Sequence, residues 1–425
     1  MEIDQSKLET SSVFCMSPWT HMHFLPDKNV TLCCLSPVEN VIGVLDNGTT
    51  IKDVWNSEEM RKIRLKMLSG EKSPNHCQRC YEKEQHGFLS LRQHMNQTYF
   101  EDHFDIVDVT NTDGSVDELN IIHWDFRFSN VCNQSCRTCG PGFSIKWYND
   151  NAKLYNIPKE ERGQKFLKIW DDEKQFVNEF GELFDKVEYI HFAGGEPLIT
   201  DEHYIALEKL IENNRTDIRI RYSTNFNTLI YKKWDVLEMW KNFSNIELYA
   251  SIDDVGYRYD YIRNGGLWNK IIKNFKELKK SGMLNRRIFF GIHPTIAFWN
   301  IYHLPELFDT CYNAGMFDGR IDDDSNDLTN FFHINPLTYP EHYSCQILPN
   351  KYKEKISKKL KQFADRLNNE FGLDNSTVLS LIEYMNEEDH TDLLDKTKDI
   401  TLKLDQIRKQ SFKNTFPFLE DLFDE

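Results

Sequence analysis

LNIIHWDFRFSNVCNQSCRTC, Leu119 to Cys139, runs an apolar strand-like segment straight into three closely spaced cysteines, Cys132, Cys136 and Cys139. Three thiolates so close can share one small inorganic cluster. A cubane iron-sulfur cluster has four irons, so three protein ligands leave one iron open to a group that is not protein. Further along, VEYIHFAGGEPLIT (Val187 to Thr200) leads a second β-rich run into Gly194, Gly195, Glu196 and Pro197. Two glycines let the backbone approach a ligand closely, Pro197 fixes the exit, and Glu196 offers a carboxylate suited to an ammonium group. Alone, three close cysteines also suit zinc, and a GGEP corner also suits an ordinary strand-to-helix turn.

From Leu119 onward, apolar β-type runs alternate with helical patterns, the signature of parallel strands joined by crossover helices. Six strands are expected: Leu119 to Arg127, Val187 to Ala193, Asp217 to Thr224, Ile246 to Ile252, Arg287 to His293 and Asn330 to Pro336. A helix is expected over Trp268 to Lys280, and extra helix between Phe143 and Phe184. In parallel barrels, active groups gather at the carboxyl ends of strands. The cysteine loop, Gly194 to Pro197, Ser223 with Asn225, and Asp253 all fall at such ends. Beyond Asn350 the pattern is helical and charged, and its lysine-rich run reads as the solvated face of an amphipathic helix.

On the CxxxCxxC loop and the GGEP segment the chain resembles the radical SAM superfamily, although Thr138 stands where that family often places an aromatic residue. The resemblance implies an α/β fold built on a partial (β/α)6 barrel. It implies that Cys132, Cys136 and Cys139 hold a 4Fe-4S cluster whose open iron takes S-adenosylmethionine. Gly194, Gly195, Glu196 and Pro197 would then hold the methionyl end, with Ser223, Asn225 and Asp253 as further candidates toward ribose or carboxylate. The implied reaction is one-electron cleavage to a 5′-deoxyadenosyl radical that takes hydrogen from substrate.

Ahead of the barrel, FCMSPWTHMHFLPDKNVTLCC (Phe14 to Cys34) and CQRC (Cys77 to Cys80) offer a second set of thiols. The layout resembles the twitch domain, an abridged SPASM domain, which implies that Cys15, Cys33, Cys77 and Cys80 bind an auxiliary 4Fe-4S cluster. Cys34 competes with Cys33. Adjacent strand residues face opposite ways, so only one of the two should reach the cluster. A zinc ribbon would use the same residue types. His21 and His23 share one strand face, where a structural role is read ahead of metal binding. Tyr257, Arg258, Tyr259 and Arg263 read as a solvated helix start or as substrate-facing.

The resulting division is an auxiliary domain over 12–95, a polar linker over 96–118, the barrel over 119–340 and a helical extension over 341–425. With 51 basic against 67 acidic residues, a net charge of −16 opposes a broad grip on nucleic acid. No apolar run long enough to span a bilayer and no signal-peptide pattern is apparent, and clustered cysteines point to a reducing, cytoplasmic setting. The expected partners are a peptide or small-molecule substrate and an external electron donor such as a flavodoxin or ferredoxin. Relatives with auxiliary domains make a peptide or protein side chain the leading substrate class, followed by a small alcohol or aminocyclitol. A non-catalytic cluster-bearing scaffold is the reading from another class.

Overall fold

The computed structural model describes residues 3–46, 48–85, 89–319 and 326–424. The described residues are mixed α/β, with parallel pairing dominant and no closed barrel among them, and the chain divides into two compact units. The first comprises Met1–Asn130 with Phe166–Arg221, the second Val131–Lys165 with Tyr222–Glu425.

In the first unit, β1 (His21–Phe24), β2 (Asn29–Thr31) and β3 (Gly43–Val44) form an antiparallel meander. Strand β1 also pairs in parallel with β4 (His123–Phe126), which pairs in parallel with β5 (Tyr189–Phe192). The thiol-rich N-terminal segment therefore shares a sheet with the first barrel strands. Helices carry most of the rest of this segment, among them Glu58–Ser69, α1 (Pro74–Gln85) and α2 (Leu91–Asp108). The stretch expected as a linker over 96–118 is thus largely helix. Ser90 and Gln93 form a capping box at its start, and Met95, Tyr99, Phe100, Phe104 and Val107 are buried along it.

Strands HMHF, HWDF and YIHF alternate in step, and alternate residues face opposite sides of a sheet. Met22, Phe24, Trp124, Phe126, Ile190 and Phe192 make one face fully buried. It packs on Trp170 and on α3 (Glu173–Phe180), with Trp124 and Phe180 ring centroids 4.7 Å apart. The other face carries His21, His23, His123, Asp125, Tyr189 and His191. Parallel strands are usually apolar on both faces, so this polar face is a departure.

Strand β6 (Arg219–Thr224) carries the chain from the first unit into the second. There β7 (Asn245–Ala250) and β8 (Ile288–Ile292) pair in parallel, followed by the short parallel pair β9 (Thr295–Ile296) and β10 (Asn335–Pro336). The expected sixth strand is this short β10 preceded by a bridge from Phe332 to Ile292, because residues 328–330 turn as 3-10 helix instead. Between the strands lie α4 (Gly256–Ile262) and α5 (Trp268–Lys280), the latter burying Ile271, Phe275 and Leu278. The extension is helical, with α6 (Asn350–Phe371), α7 (Leu394–Arg408) and α8 (Phe412–Thr415) among its elements. On α6 the apolar stripe Ile356, Leu360, Phe363 and Leu367 is buried as its spacing requires. Lys353 departs from the expected solvated run: it is buried, and its Nζ donates to the Glu388 carbonyl at 2.9 Å.

Candidate metal centres

The loop bearing Cys132, Cys136 and Cys139 lies in the second unit and is held by hydrogen bonds along its length. Ser135 N donates to Asn264 O at 2.7 Å, Arg137 N to Ile262 O at 2.8 Å, and Cys139 N to Cys136 O at 3.0 Å. Ser144 and Trp147 grip it from the following turn, the indole Nε1 donating to Cys136 O at 2.8 Å. Cys132 is buried while Cys136 and Cys139 are partly open, a gradation suited to an exposed cluster corner. Burial pushes the Cys139 thiol up to about 12, with Cys136 adding to the rise. The Cys136 thiol is also raised by burial, and the Arg263 guanidinium opposes that rise. No disulfide ties these thiols.

Arg263 is buried, not solvated or open toward a substrate. Its Nη1 lies 3.8 Å from Cys136 Sγ, and its Nε and Nη2 grip Asp253 at 2.7 and 2.9 Å. Asp253 also accepts from Thr295 N at 2.8 Å. The Asp253 carboxylate, expected toward S-adenosylmethionine, thus orients a cation beside the Cys136 thiol. Asn225 is likewise engaged with the loop: its Nδ2 donates to Asn133 Oδ1 at 2.7 Å and lies 3.9 Å from Cys132 Sγ. Ser223 sits half-buried on β6. Tyr259 is buried, its hydroxyl accepting from Gln134 Nε2 and Asn227 Nδ2.

The C-terminal extension reaches this loop through Arg137, which stands between Cys136 and Cys139. Its side chain is 1% exposed, pairs with Asp405 of α7, and lies 3.8 Å over the Tyr261 ring. Asp405 in turn accepts from Tyr261 Oη at 2.8 Å and from Phe412 N. Arg408 stacks 4.5 Å from the Trp147 ring and pairs with Asp150 at 2.9 Å. Nothing in the spacing of the extension announced these contacts.

The GGEP corner belongs to the first unit. Gly194 has φ +102°, and a Cβ there would stand 2.8 Å from Arg127 Cα, so glycine is required by the chain's own packing. Gly195 N donates to Ser129 O at 3.2 Å, and buried Glu196 accepts from Leu198 N at 3.1 Å while capping the turn that Pro197 opens. Gly194→Ala should destabilise the protein by roughly 1–3 kcal/mol or more, because strained backbone and a steric clash add. A lowered urea midpoint with unchanged slope is the expected result.

The second thiol set is also in the first unit. Cys77 and Cys80 sit one turn apart on α1 and share a face. Cys15 is held from both sides by α2: Asn96 Oδ1 accepts from Met16 N at 2.9 Å, while Asn96 Nδ2 and Arg92 Nη1 donate to Phe14 O. Cys33 follows β2 in a bend, not on the strand, yet the pair still separates. Burial pushes the Cys33 thiol well up, and its thiol neighbours include Cys77 and Cys15, whereas the charges nearest exposed Cys34 are Asp125 and Arg127. Burial lifts Cys15 to about 11 and raises Cys77 further, and Cys80 lies near both. Arg92, locked to Glu84 at 2.6 Å, is the nearby cation.

Four buried, unbridged thiols whose fields reach one another fit a capped cluster. Among the described residues, no group of three or more His, Cys, Asp or Glu side chains is gathered so as to hold a metal ion.

Comparison with known proteins places these features. The Radical SAM superfamily profile matches residues 126–309, and one described as an iron-sulfur cluster-binding domain, SPASM, matches residues 15–81. The chain carries a radical SAM domain and, ahead of it in sequence, a SPASM-type cluster-binding domain. These domains imply a 4Fe-4S cluster with S-adenosylmethionine and an auxiliary iron-sulfur cluster. Among solved structures it is similar to native anSMEcpe with bound AdoMet and Cp18Cys peptide, at 14% identity and TM-score 0.35, covering 58% of this chain and 61% of that one. Native anSMEcpe with bound AdoMet matches at 15% identity and TM-score 0.37, over 58% of this chain and 61% of that one. The chain thus spans about three fifths of the length of these structures, and likeness at this level speaks to neither substrate nor mechanism. No curated protein matches. No helix among the described residues is long and apolar enough to cross a membrane.

Proposed function

We propose that this chain takes hydrogen from a peptide or protein side chain by S-adenosylmethionine-dependent radical chemistry, with the auxiliary cluster receiving the electron left on substrate. The observation that carries this reading is the pairing of a three-thiol loop with a separate buried four-thiol set. A three-ligand cluster keeps an open iron, whereas a four-ligand one suits electron transfer. In this reading Cys132, Cys136 and Cys139 hold the reactive cluster, and Cys15, Cys33, Cys77 and Cys80 the auxiliary one. Gly194, Gly195, Glu196 and Pro197 shape the methionyl site, and Ser223 faces the ribose. Asn225 and Asp253 act indirectly, through Asn133 and Arg263. The bound cofactors supply the radical chemistry, and the chain supplies position and shelter from solvent.

An external flavodoxin or ferredoxin is the proposed donor. The proposed setting is the cytoplasm, consistent with ten cysteines of which none among the described residues is in a disulfide. Anaerobic reconstitution with iron and sulfide, followed by S-adenosylmethionine and a one-electron reductant, should give 5′-deoxyadenosine. A loaded, reduced protein giving none would favour a non-catalytic scaffold. Deuterium transfer into 5′-deoxyadenosine from labelled peptides, but not from labelled small alcohols, is the expected substrate result.

A further inference from the structure

Three guanidiniums belong to the surroundings of the loop that carries Cys132, Cys136 and Cys139, and two of them are closely matched by acceptors. Arg137 pairs with Asp405 and donates from Nη2 to Gln410 Oε1 at 3.0 Å. Arg263 turns two nitrogens to Asp253 and holds the third 3.8 Å from Cys136 Sγ. The third guanidinium, that of Arg408, comes from α7 of the C-terminal extension and is matched at one nitrogen only. Its Nε meets Asp150 Oδ2 at 2.9 Å, while Nη1 and Nη2 are buried without a hydrogen-bond partner.

Burying charged donors without acceptors opposes folding, so this cation is kept in place against a penalty. The Arg408 side chain is 2% exposed and that of Asp150 18%, and solvent screens the more exposed charge more strongly. The pair therefore leaves a net positive field inside the second unit. Trp147 sets where that field falls. The guanidinium lies 4.5 Å from the centre of its ring, and the same indole donates from Nε1 to Cys136 O at 2.8 Å. One aromatic ring thus stands between the buried charge and the cysteine backbone, and the positive fields of Arg263 and Arg408 both reach Cys136. The cation beside the second thiol set is arranged differently. There Arg92 is gripped through two nitrogens by both oxygens of Glu84, at 2.8 and 2.6 Å, which closes the charge on itself.

Reduction adds negative charge to an iron-sulfur cluster, and its potential follows net charge, hydrogen bonds to sulfur and exposure. A buried cation beside the ligand loop stabilises the reduced state. We propose that Arg408 raises the reduction potential of the cluster held by Cys132, Cys136 and Cys139, so that the C-terminal extension tunes the entry of the electron besides bracing the loop. This rests on the assignment of a cluster to those thiols and is independent of the substrate.

The test is an EPR-monitored redox titration of the anaerobically reconstituted protein without S-adenosylmethionine, so that no turnover is needed. The loop cluster gives the signal that disappears when Cys132, Cys136 and Cys139 are replaced by Ala. Arg408→Gln should lower its midpoint by about 59 mV, a tenfold change in the one-electron equilibrium, whereas Arg408→Lys, which keeps the charge, should stay near the parent. Asp150→Asn, which removes the balancing carboxylate, should move the midpoint upward. Opposite shifts from the two halves of one ion pair follow from charge and not from loosened packing. The auxiliary cluster should hold its midpoint throughout. If Arg408→Gln fails to accumulate, the upward shift in Asp150→Asn carries the test, and its absence overturns the proposal. Shifts of the same sign in Arg408→Gln and Asp150→Asn, equal shifts in Arg408→Gln and Arg408→Lys, or an unmoved midpoint would overturn it as well. If no signal disappears in the triple replacement, the cluster assignment itself falls and the proposal with it; a loop signal that is present but unmoved defeats the tuning alone.

Discussion

Replacing Cys132, Cys136 and Cys139 together with Ala will abolish 5′-deoxyadenosine formation and remove about half of the bound iron, leaving the auxiliary share in place. The magnitude follows from the open iron: with no cluster at this loop there is no site for S-adenosylmethionine to be reduced, so the loss should reach the detection limit. The protein should still fold, since these thiols sit in a loop held by Ser135, Arg137 and Trp147 rather than by each other. The complementary variant, Cys77→Ala with Cys80→Ala, should lose the other half and keep S-adenosylmethionine cleavage while failing to complete substrate oxidation. Iron and sulfide analysis beside chromatography of the nucleoside products reads both. Retained cleavage in the first variant would show that another site carries the chemistry.

Asp405→Ala should be the most damaging single change outside the thiol sets. Arg137 is 1% exposed on its side chain and Asp405 9%, so the substitution leaves a guanidinium buried without its carboxylate. Breaking such a pair from one side costs about 3–5 kcal/mol. Tyr261 and the Phe412 amide lose their acceptor in the same step. Because Arg137 stands between Cys136 and Cys139, the loss should also be felt as faster release of iron from the three-thiol site, with the auxiliary iron unchanged. Denaturant midpoints and chelator-driven iron release measure the two effects. A variant as stable as the parent, with equal retention of iron at both sites, would remove the extension from any role in holding the loop.

Where hydrophobic period and turn chemistry agreed, the sequence was readable. Trp268–Lys280 and the amphipathic stripe of α6 are helices as spaced, and five of the expected strand runs contain a strand of four residues or more, the sixth only the short β10. Pairing was not readable. That β1 joins β4 depends on register between segments a hundred residues apart, which neither propensity nor period encodes. The capping box at Ser90 and Gln93 was a local signal for α2, outweighed by the polar composition of the stretch. The polar sheet face was legible in principle, because HMHF, HWDF and YIHF share one alternation, but only the paired strands reveal it as one surface. Arg263 shows the opposite limit: a charged residue near a helix end reads as solvated until tertiary structure supplies a buried partner.

The central claim is that two distinct thiol sets on one chain hold two iron-sulfur clusters. Mössbauer spectroscopy of anaerobically purified, iron-57-enriched protein, with metal analysis of the same sample, tests it most directly. The account predicts about eight irons per chain in cubane clusters, falling to about four when Cys132, Cys136 and Cys139 are replaced. Zinc in place of iron, or an iron content that the triple replacement leaves untouched, would contradict it.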